Sequence, residues 1–162
     1  MKLNDASLLE TRAYINGVWI KGDATFAVTN PATGEEVAQV TDCSVADVQD
    51  AIDGAYVAQK AWAAKTAKER AAVLRKWFEL MMEAQDDLGT ILCAEMGKPL
   101  AEAKGEIAYG ASFLEWFAEE AKRVYGDTIP GHQPDKRIVV LKQPVGVAVS
   151  YTHLTLPTKR IV

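Results

Sequence analysis

The stretch Val145-Gly146-Val147-Ala148-Val149 follows Pro144 and contains no polar side chain. A strand with one solvated face alternates polar and apolar residues, whereas a strand covered on both faces of a parallel sheet is a continuous apolar run. Pro144 cannot donate to a strand ladder, so it separates this strand from the preceding predicted strand, Arg137 to Lys142. The stretch therefore predicts an α/β protein whose sheet is buried under helices.

The N-terminal part of the chain predicts antiparallel strands. Asn16-Gly17 lies between two short apolar pieces, and this dipeptide tolerates the positive φ angles of a two-residue hairpin turn. A second pair of strands is predicted from Thr25 to Thr29 and from Glu36 to Val40, with Pro31 and Gly34 in the turn that joins them. Together these strands predict a β meander with one face to be covered by other elements.

Three helices are predicted after the meander. The first begins at Ser44, an N-cap residue with Asp47 three positions later. The second begins at the capping box Thr66-Ala67-Lys68-Glu69 and ends at Gly97, and the third continues to about Gly126. The passage from Tyr125 to Gly131 is predicted as turns. The second helix carries an apolar stripe of Leu74, Trp77, Phe78, Met81, Leu88, Ile91 and Leu92.

The third predicted helix is amphipathic. Its inward side chains are predicted to be Ala103, Ile107, Leu114, Phe117, Ala121 and Val124, and its water-facing ones Glu102, Glu106, Glu115, Glu119 and Glu120. Gly105 and Gly110 each cost about 1 kcal/mol relative to alanine inside a helix. We therefore expect close backbone packing at both glycines.

The composition is that of an ordinary globular protein. The chain has 162 residues, of which 49% are hydrophobic and 25% charged, and the net charge of −4 makes nucleic acid and anionic membranes poor partners. It has no apolar run of about 18 residues and no signal-peptide core at its N-terminus. Two cysteines without a paired motif fit a reducing compartment, so we expect a cytoplasmic location.

The residues show no catalytic, cofactor-binding or metal-binding constellation. Cys93 lies on the apolar stripe of the second helix, which predicts an inert core thiol. Cys43 precedes a helix N-terminus, where the dipole favours a thiolate, but no histidine is near it in sequence. His132 lies in a Gly/Pro-rich loop and is predicted to be solvated. We therefore assign no catalytic, cofactor or metal residue within the chain.

Seven short motifs in order resemble the aldehyde dehydrogenase superfamily. They are Tyr14-Ile15-Asn16-Gly17-Val18-Trp19, Asn30-Pro31-Ala32-Thr33-Gly34-Glu35, Lys68-Glu69-Arg70, Glu95-Met96-Gly97-Lys98-Pro99-Leu100, Phe113-Leu114-Glu115-Trp116-Phe117-Ala118, Gly126-Asp127-Thr128-Ile129-Pro130 and Pro144-Val145-Gly146-Val147. The resemblance implies the N-terminal part of that α/β fold. Residues 1–130 would begin the cofactor-binding domain, 131–144 would form the first arm of an oligomerisation hairpin, and 145–148 would start a strand of the Rossmann-like cofactor sheet.

The resemblance also implies an activity. Members of the family oxidise an aldehyde to its acid with NAD or NADP, through a cysteine thiolate that attacks the carbonyl and a glutamate that activates water. Within the family the chain is similar to bacterial enzymes that oxidise succinate semialdehyde, with glutarate semialdehyde as the alternative substrate. The parent is expected to be a homo-oligomer. The catalytic residues of such proteins lie beyond residue 162, so this chain alone is expected to bind no cofactor and to be inactive.

The last residues depart from the family pattern. Thr155 stands where the family has the asparagine that binds the oxyanion, and a threonine hydroxyl does not replace an amide donor at that reach. Translation of the transposase-adapter DNA GTC TCT TAT ACA CAT CTG ACG CTG CCG ACG reproduces residues 149–158. We therefore hypothesise that residues 149–162 are a sequencing-adapter translation and not native.

A second class of function stays open at this point. The same fold segment could serve as a non-catalytic interaction module that pairs the strand Arg137 to Lys142 with the edge of a partner sheet. Genomic DNA that stops after this segment would favour that alternative, whereas DNA that continues into the asparagine and cysteine motifs would favour the enzyme.

Overall fold

A computed structural model describes residues 1–151 of the chain. Within them lie six strands, β1 Ala13–Ile15, β2 Val18–Ile20, β3 Ala24–Thr29, β4 Glu36–Asp42, β5 Asp127–Pro130 and β6 Arg137–Val140. The helices are α1 Val45–Ala64, α2 Ala67–Glu83, α3 Gln85–Met96 and α4 Leu100–Glu120, with short 3-10 turns at Ala6–Leu8 and Ala121–Arg123. None of the described helices is long and apolar enough to cross a membrane. This mixture of strands and helices confirms the predicted α/β class.

The N-terminal strands form two separate hairpins. Asn16 (φ 52°) and Gly17 (φ 86°) make the tight turn between β1 and β2, which confirms the predicted hairpin. Gly34 (φ 75°) serves the turn between β3 and β4. The two hairpins do not join into one sheet, which corrects the predicted meander. The link after β2 lies against the end of β4, because a Cβ on Gly22 would stand 2.9 Å from Thr41 Cγ2.

Capping boxes begin α1 and α2, as the sequence predicts. Ser44 Oγ accepts from Asp47 N at 3.2 Å, and Asp47 Oδ2 accepts from Ser44 N at 2.8 Å. Thr66 Oγ1 accepts from Glu69 N at 3.3 Å, and Glu69 Oε2 accepts from Thr66 N at 2.7 Å. Each box satisfies two backbone donors that a helix otherwise leaves free.

The second predicted helix is divided in two, which corrects the prediction of one continuous helix from Thr66 to Gly97. The break lies at Ala84 (φ −92°, ψ 9°), which ends α2 and precedes α3. No glycine or proline marks the break in the sequence. Tertiary contacts accompany it instead: Gln85 Nε2 donates to the Lys104 carbonyl of α4 at 2.9 Å, and Asp87 binds the N-terminal segment.

The core of the helical part is built from alanines. Ala103, Ala111 and Ala118 recur on one side of α4 and are 0–3% exposed, and Ala71 of α2 is 5% exposed. Small side chains let α4 lie close to α2 and α3, the two helices that it contacts most extensively. The buried positions Ala103, Ala111 and Ala118 therefore fix which side of α4 faces inward.

The predicted close packing at Gly105 and Gly110 is wrong. A Cβ built on either glycine meets nothing within 4 Å in the described structure. The close approach is at Gly89 of α3 instead, where a Cβ would stand 2.7 Å from Lys104 Cγ and 3.2 Å from Lys104 Cα. Gly105 and Gly110 lie away from the contact between α3 and α4, and both are exposed.

Two predictions near the C-terminal end are also corrected. The passage from Tyr125 to Gly131, predicted as turns, contains β5, which pairs antiparallel with β6 in the register Asp127 to Val140. The predicted strand Val145 to Val149 is not assigned as a strand, and Val145 is fully exposed. A strand needs a neighbouring ladder, and none lies beside this segment in residues 1–151.

Alanine substitutions at two glycines are predicted to change the stability of the 162-residue chain in opposite directions. Gly89→Ala is expected to lower the free energy of unfolding by about 1 kcal/mol, because the added methyl group forces α3 away from Lys104. Gly105→Ala is expected to raise it by about 0.5–1 kcal/mol, because the helix gains propensity and the methyl group enters open space. Urea unfolding followed by circular dichroism measures both. Equal effects of the two substitutions would contradict the packing described here.

Candidate functional site

The residues considered for chemistry do not form a catalytic group in the structure. Cys43 and Cys93 are free thiols of intermediate burial, on the link before α1 and on α3. His132 is exposed in the turn between β5 and β6. Across residues 1–151, no three His, Cys, Asp or Glu side chains are grouped in a way that could hold a metal ion. His153 and Thr155 lie outside the described residues.

The most distinctive surface is an aromatic face of α4, which we call the α4 face: Gly105, Tyr109, Ser112, Phe113 and Trp116. Their spacing places them on the side of the helix opposite to Ala103, Ala111 and Ala118. Tyr109 is 67% exposed and Trp116 is 61% exposed, and the rings of Tyr109 and Phe113 meet edge to face at 5.0 Å. A hollow in this surface is lined by these three aromatic side chains together with Ser112, Glu115, Phe117 and Glu119. Contiguous exposed aromatic residues are typical of a surface that another segment covers.

Two aromatic residues predicted to face inward are also open. Trp77 of α2 lies between Val73 and Leu80 at helical spacing, and all three side chains are about half exposed. Phe117 of α4 is more than half exposed, and so is Val124 after it. A helix stripe that is built to pack on a sheet is expected to stay uncovered where that sheet is mostly absent from the chain, and the exposure of Trp77 and Phe117 confirms this expectation. The stripes exist, but the described residues do not cover them.

Arg75 holds α2 against α4 and fixes the direction of the α4 face. Its guanidinium donates to Glu115 Oε1 at 2.8 Å and to Glu119 Oε1 at 3.2 Å. The hydrogen bond that Arg75 donates to Glu115, together with the negative charge of both carboxylates, raises the pKa of Arg75 above its ordinary value. The guanidinium also lies 5.5 Å from the centre of the Phe78 ring. One cation therefore ties two α4 carboxylates to α2.

Asp87 of α3 holds the N-terminal segment, and sequence reasoning missed it. Its carboxylate accepts from Asn4 N at 2.9 Å, from Asn4 Nδ2 at 3.1 Å and from Asp5 N at 2.8 Å. Asp87 is 6% exposed, so these donors replace the water that a buried carboxylate loses. A signal was present, because Asp87 stands four residues before Ile91 and so lies on the apolar stripe, where a charged side chain needs a specific partner.

Glu10 has the most strongly shifted carboxyl group. Its pKa is lowered from 4.5 to about 2, first by the side-chain hydrogen bond from Arg12 and then by the backbone N–H of Arg12. Arg12 Nε lies 2.8 Å from Glu10 Oε1. Because the pKa of Glu10 is lower in the folded state, its ionised carboxylate stabilises the fold at pH values above the ordinary pKa. This stabilisation is lost as the pH falls from 4.5 to about 2.

A titration tests this assignment. Carboxyl NMR signals of Glu10 are expected to give a midpoint near the pKa of about 2 in the unsubstituted chain. The midpoint is expected to move up toward 4.5 in Arg12→Ala, stopping short of it because the backbone donors remain. Arg70→Ala is the matched control, since Arg70 hydrogen-bonds backbone carbonyls and not Glu10. A Glu10 midpoint that Arg12→Ala leaves unchanged would refute the role of the guanidinium.

The comparisons with known proteins agree on one family. The aldehyde dehydrogenase family model matches residues 19–153. The chain is 59% identical to the glutarate-semialdehyde dehydrogenase of Pseudomonas putida over 99% of its own length and 34% of that relative. It is 55% identical to the NADP(+) succinate-semialdehyde dehydrogenase GabD of Escherichia coli, with the same two coverages. These similarities agree with the motifs of the sequence.

The fold is also that of a solved relative. It superposes on the crystal structure of succinate-semialdehyde dehydrogenase from Burkholderia pseudomallei with a TM-score of 0.85 and 55% identity. The superposition covers 90% of this chain and 31% of that chain. The chain thus spans about a third of the length of the relatives that it matches.

Proposed function

Since the chain belongs to the aldehyde dehydrogenase family, we propose that the complete protein is an NAD(P)-dependent dehydrogenase for an aldehyde that carries a terminal carboxylate. Residues 1–148 supply its structural N-terminal part. The observation that carries the proposal is the 55–59% identity to semialdehyde dehydrogenases across nearly the whole chain. The reaction joins an aldehyde, water and oxidised nicotinamide cofactor and yields the acid, the reduced cofactor and a proton.

Succinate semialdehyde is the substrate that we propose first, and glutarate semialdehyde is the second. The named substrates of the two curated relatives are both aldehydes with a carboxylate at the far end. A site that pairs with that anion rejects aldehydes that lack it, because its own buried polar groups are then left unpaired. Glutarate semialdehyde stays as the alternative substrate because the identity to the glutarate-semialdehyde enzyme, 59%, is slightly higher than the 55% identity to the succinate-semialdehyde enzyme.

The described residues do not fit a nicotinamide dinucleotide. Such a cofactor binds at the carboxyl edge of a parallel sheet, next to a glycine-rich turn that leads into a helix. Residues 1–151 form three antiparallel two-stranded sheets, and their positive-φ glycines lie in hairpin turns, in the cap after α3 and at Gly146. We therefore assign no step of the reaction to them. Their role is to place α2, α3 and α4, with open apolar surfaces, beside the rest of the protein.

The test of the proposed activity uses the complete enzyme encoded by the parent gene. The purified protein is mixed with NAD or NADP and with four aldehydes: succinate semialdehyde, glutarate semialdehyde, butanal and pentanal. Butanal and pentanal match the carbon chains of the two semialdehydes and lack the carboxylate. We expect kcat/KM to be higher for the acidic aldehydes by at least about 10²-fold. Equal values for succinate semialdehyde and butanal would overturn the proposed substrate class.

We also propose that residues 149–162 are not part of the native protein. The identity of residues 149–158 to the translated adapter supports this. The nucleotide sequence of the parent locus decides the matter. We expect the source reads to contain codons that match the adapter, and we expect independently cloned genomic DNA to lack those codons. Genomic codons for residues 149–162 in that clone would refute the proposal.

A further inference from the structure

The tight turn between β1 and β2 consists of Asn16 and Gly17, and both residues are exposed. In an Asn-Gly pair the backbone nitrogen of the glycine can attack the side-chain carbonyl carbon of the asparagine, because glycine has no Cβ to obstruct the approach. The chain has three asparagines, and Asn16 is the one that glycine follows. The turn therefore contains the two groups that spontaneous deamidation of an asparagine requires.

The other two asparagines are protected from this reaction. Asn30 precedes Pro31, whose nitrogen carries no hydrogen and cannot act as the nucleophile. Asn4 Nδ2 donates to Asp87 Oδ1 at 3.1 Å, and the N–H of the next residue, Asp5, donates to Asp87 Oδ2 at 2.8 Å. The buried carboxylate therefore holds both the amide and the nitrogen that would attack it. These two asparagines are internal controls for the third.

The amide of Asn16 is packed on α1. A Cβ built on Gly54 would overlap Asn16 Oδ1, so the asparagine side chain occupies space that only a glycine leaves free. Asn16 Nδ2 also donates to the Asp50 carbonyl, at 3.5 Å. The strands β1 and β2 have three residues each and form a separate two-stranded sheet, which is marginally stable by itself. The contact with α1 therefore influences how often the turn opens.

We propose that Asn16 is a site of spontaneous deamidation and that its contact with Gly54 controls the rate. Gly17 N loses its proton and bonds to Asn16 Cγ, the bond from Cγ to Nδ2 breaks, and ammonia leaves, which yields a succinimide ring. Water then opens the ring at one of its two carbonyls and leaves aspartate or isoaspartate at position 16. Ring closure bends the side chain toward Gly17 N, so the reaction takes place after the amide has left Gly54.

The product disfavours the closed contact with α1. A carboxylate has no hydrogen to donate to the Asp50 carbonyl, so oxygen atoms with like partial charges face each other. Asp50 lies one helical turn before Gly54 on the same face of α1, and its carboxylate adds negative charge to that surface. Isoaspartate also adds a carbon to the backbone and lengthens the turn. Deamidation therefore detaches the hairpin from α1.

Peptide mass spectrometry of the complete protein encoded by the parent gene tests the site. The protein is incubated at neutral pH below its Tm, and the peptides that contain the three asparagines are followed over time. We expect conversion of amide to acid at Asn16 at least about tenfold faster than at Asn30 or Asn4, with isoaspartate among the products. Equal rates at the three positions would overturn the proposal. Aspartate without isoaspartate would also overturn it, because direct hydrolysis forms no ring.

Two glycine substitutions test the control by α1. Gly54→Ala places a methyl group where the amide lies, so the deamidation rate at Asn16 is expected to rise at least about fivefold. Gly105→Ala is the matched control, because it makes the same change at a helix position with nothing within 4 Å, and it is expected to change the rate less than about twofold. An unchanged rate in Gly54→Ala would overturn the control by α1.

Asn4 distinguishes local opening from loss of the fold in the same samples. Its deamidation rate rises only when the buried Asp87 releases it. An increase confined to Asn16 supports the proposal, and an equal increase at Asn4 overturns it.

The variant Asn16→Asp tests the effect of the product. Hydrogen exchange of the backbone amides in β1 and β2 is expected to be at least about fivefold faster than in the unsubstituted protein. Unchanged exchange in the hairpin would overturn the detachment.

Discussion

The isolated 162-residue chain is expected to produce no reduced NAD or NADP from succinate semialdehyde above the uncatalysed rate. Removing the nucleophile and base from an enzyme that needs them lowers its rate by about 10⁶-fold. Cys43 and Cys93 lie on separate elements, and the described residues hold neither a parallel sheet nor a thiol grouped with other catalytic side chains. Absorbance of the reduced nicotinamide is the measurement, with the complete parent enzyme as the positive control.

The matched negative control is the chain that carries both Cys43→Ser and Cys93→Ser. Both proteins are expected to match the buffer blank. Turnover by the unsubstituted chain that disappears in the double variant would mean that one of these thiols is a nucleophile. That result would refute the proposed inactivity and the assignment of both cysteines as structural.

Ala111→Leu is expected to lower the free energy of unfolding of the chain by about 2 kcal/mol or more. Ala111 is 0% exposed on the side of α4 that packs on α2 and α3, so three additional carbons force the helices apart. For a chain of this size, 2 kcal/mol corresponds to a fall in Tm of about 4–8 °C. Thermal unfolding followed by circular dichroism measures it, at a chain concentration low enough to avoid association.

Ala101→Leu is the matched control for this substitution. It adds the same atoms to the same helix, but residue 101 is exposed. Its unfolding free energy is expected to stay within about 0.5 kcal/mol of the unsubstituted chain. Equal losses for the two variants would show that α4 does not face inward through its alanines, and the outward direction of the α4 face would then lose its basis.

Local signals in the sequence predict the local structure well. Asn16-Gly17 is sufficient for a hairpin, because few dipeptides adopt two consecutive positive φ angles. Ser44 with Asp47 and Thr66 with Glu69 define two helix starts, because a capping box uses only residues within one turn. Gly97 (φ 71°) ends α3 as predicted, since a left-handed residue closes the helix.

Features that depend on distant residues are not predictable in this way. The break at Ala84 has no local signal, and its accompanying contacts come from Lys104, nineteen residues after Gln85, and from Asn4. Gly105 was expected to pack closely on helix propensity alone, but close packing depends on which elements are present to pack. The spacing of Trp116 in α4 is typical of a core position, but the structure leaves Trp116 exposed because no described element covers it.

Fusion of residues 1–148 to the remainder of the Escherichia coli relative tests the central proposal most directly. Under the proposal that the chain is the N-terminal structural part of a semialdehyde dehydrogenase, the chimera is expected to oxidise succinate semialdehyde with NADP at a kcat/KM within about tenfold of the parent Escherichia coli enzyme. A matched chimera carrying Ala111→Leu is expected to be less heat-stable. A folded chimera that binds NADP and gives no turnover would contradict the proposal.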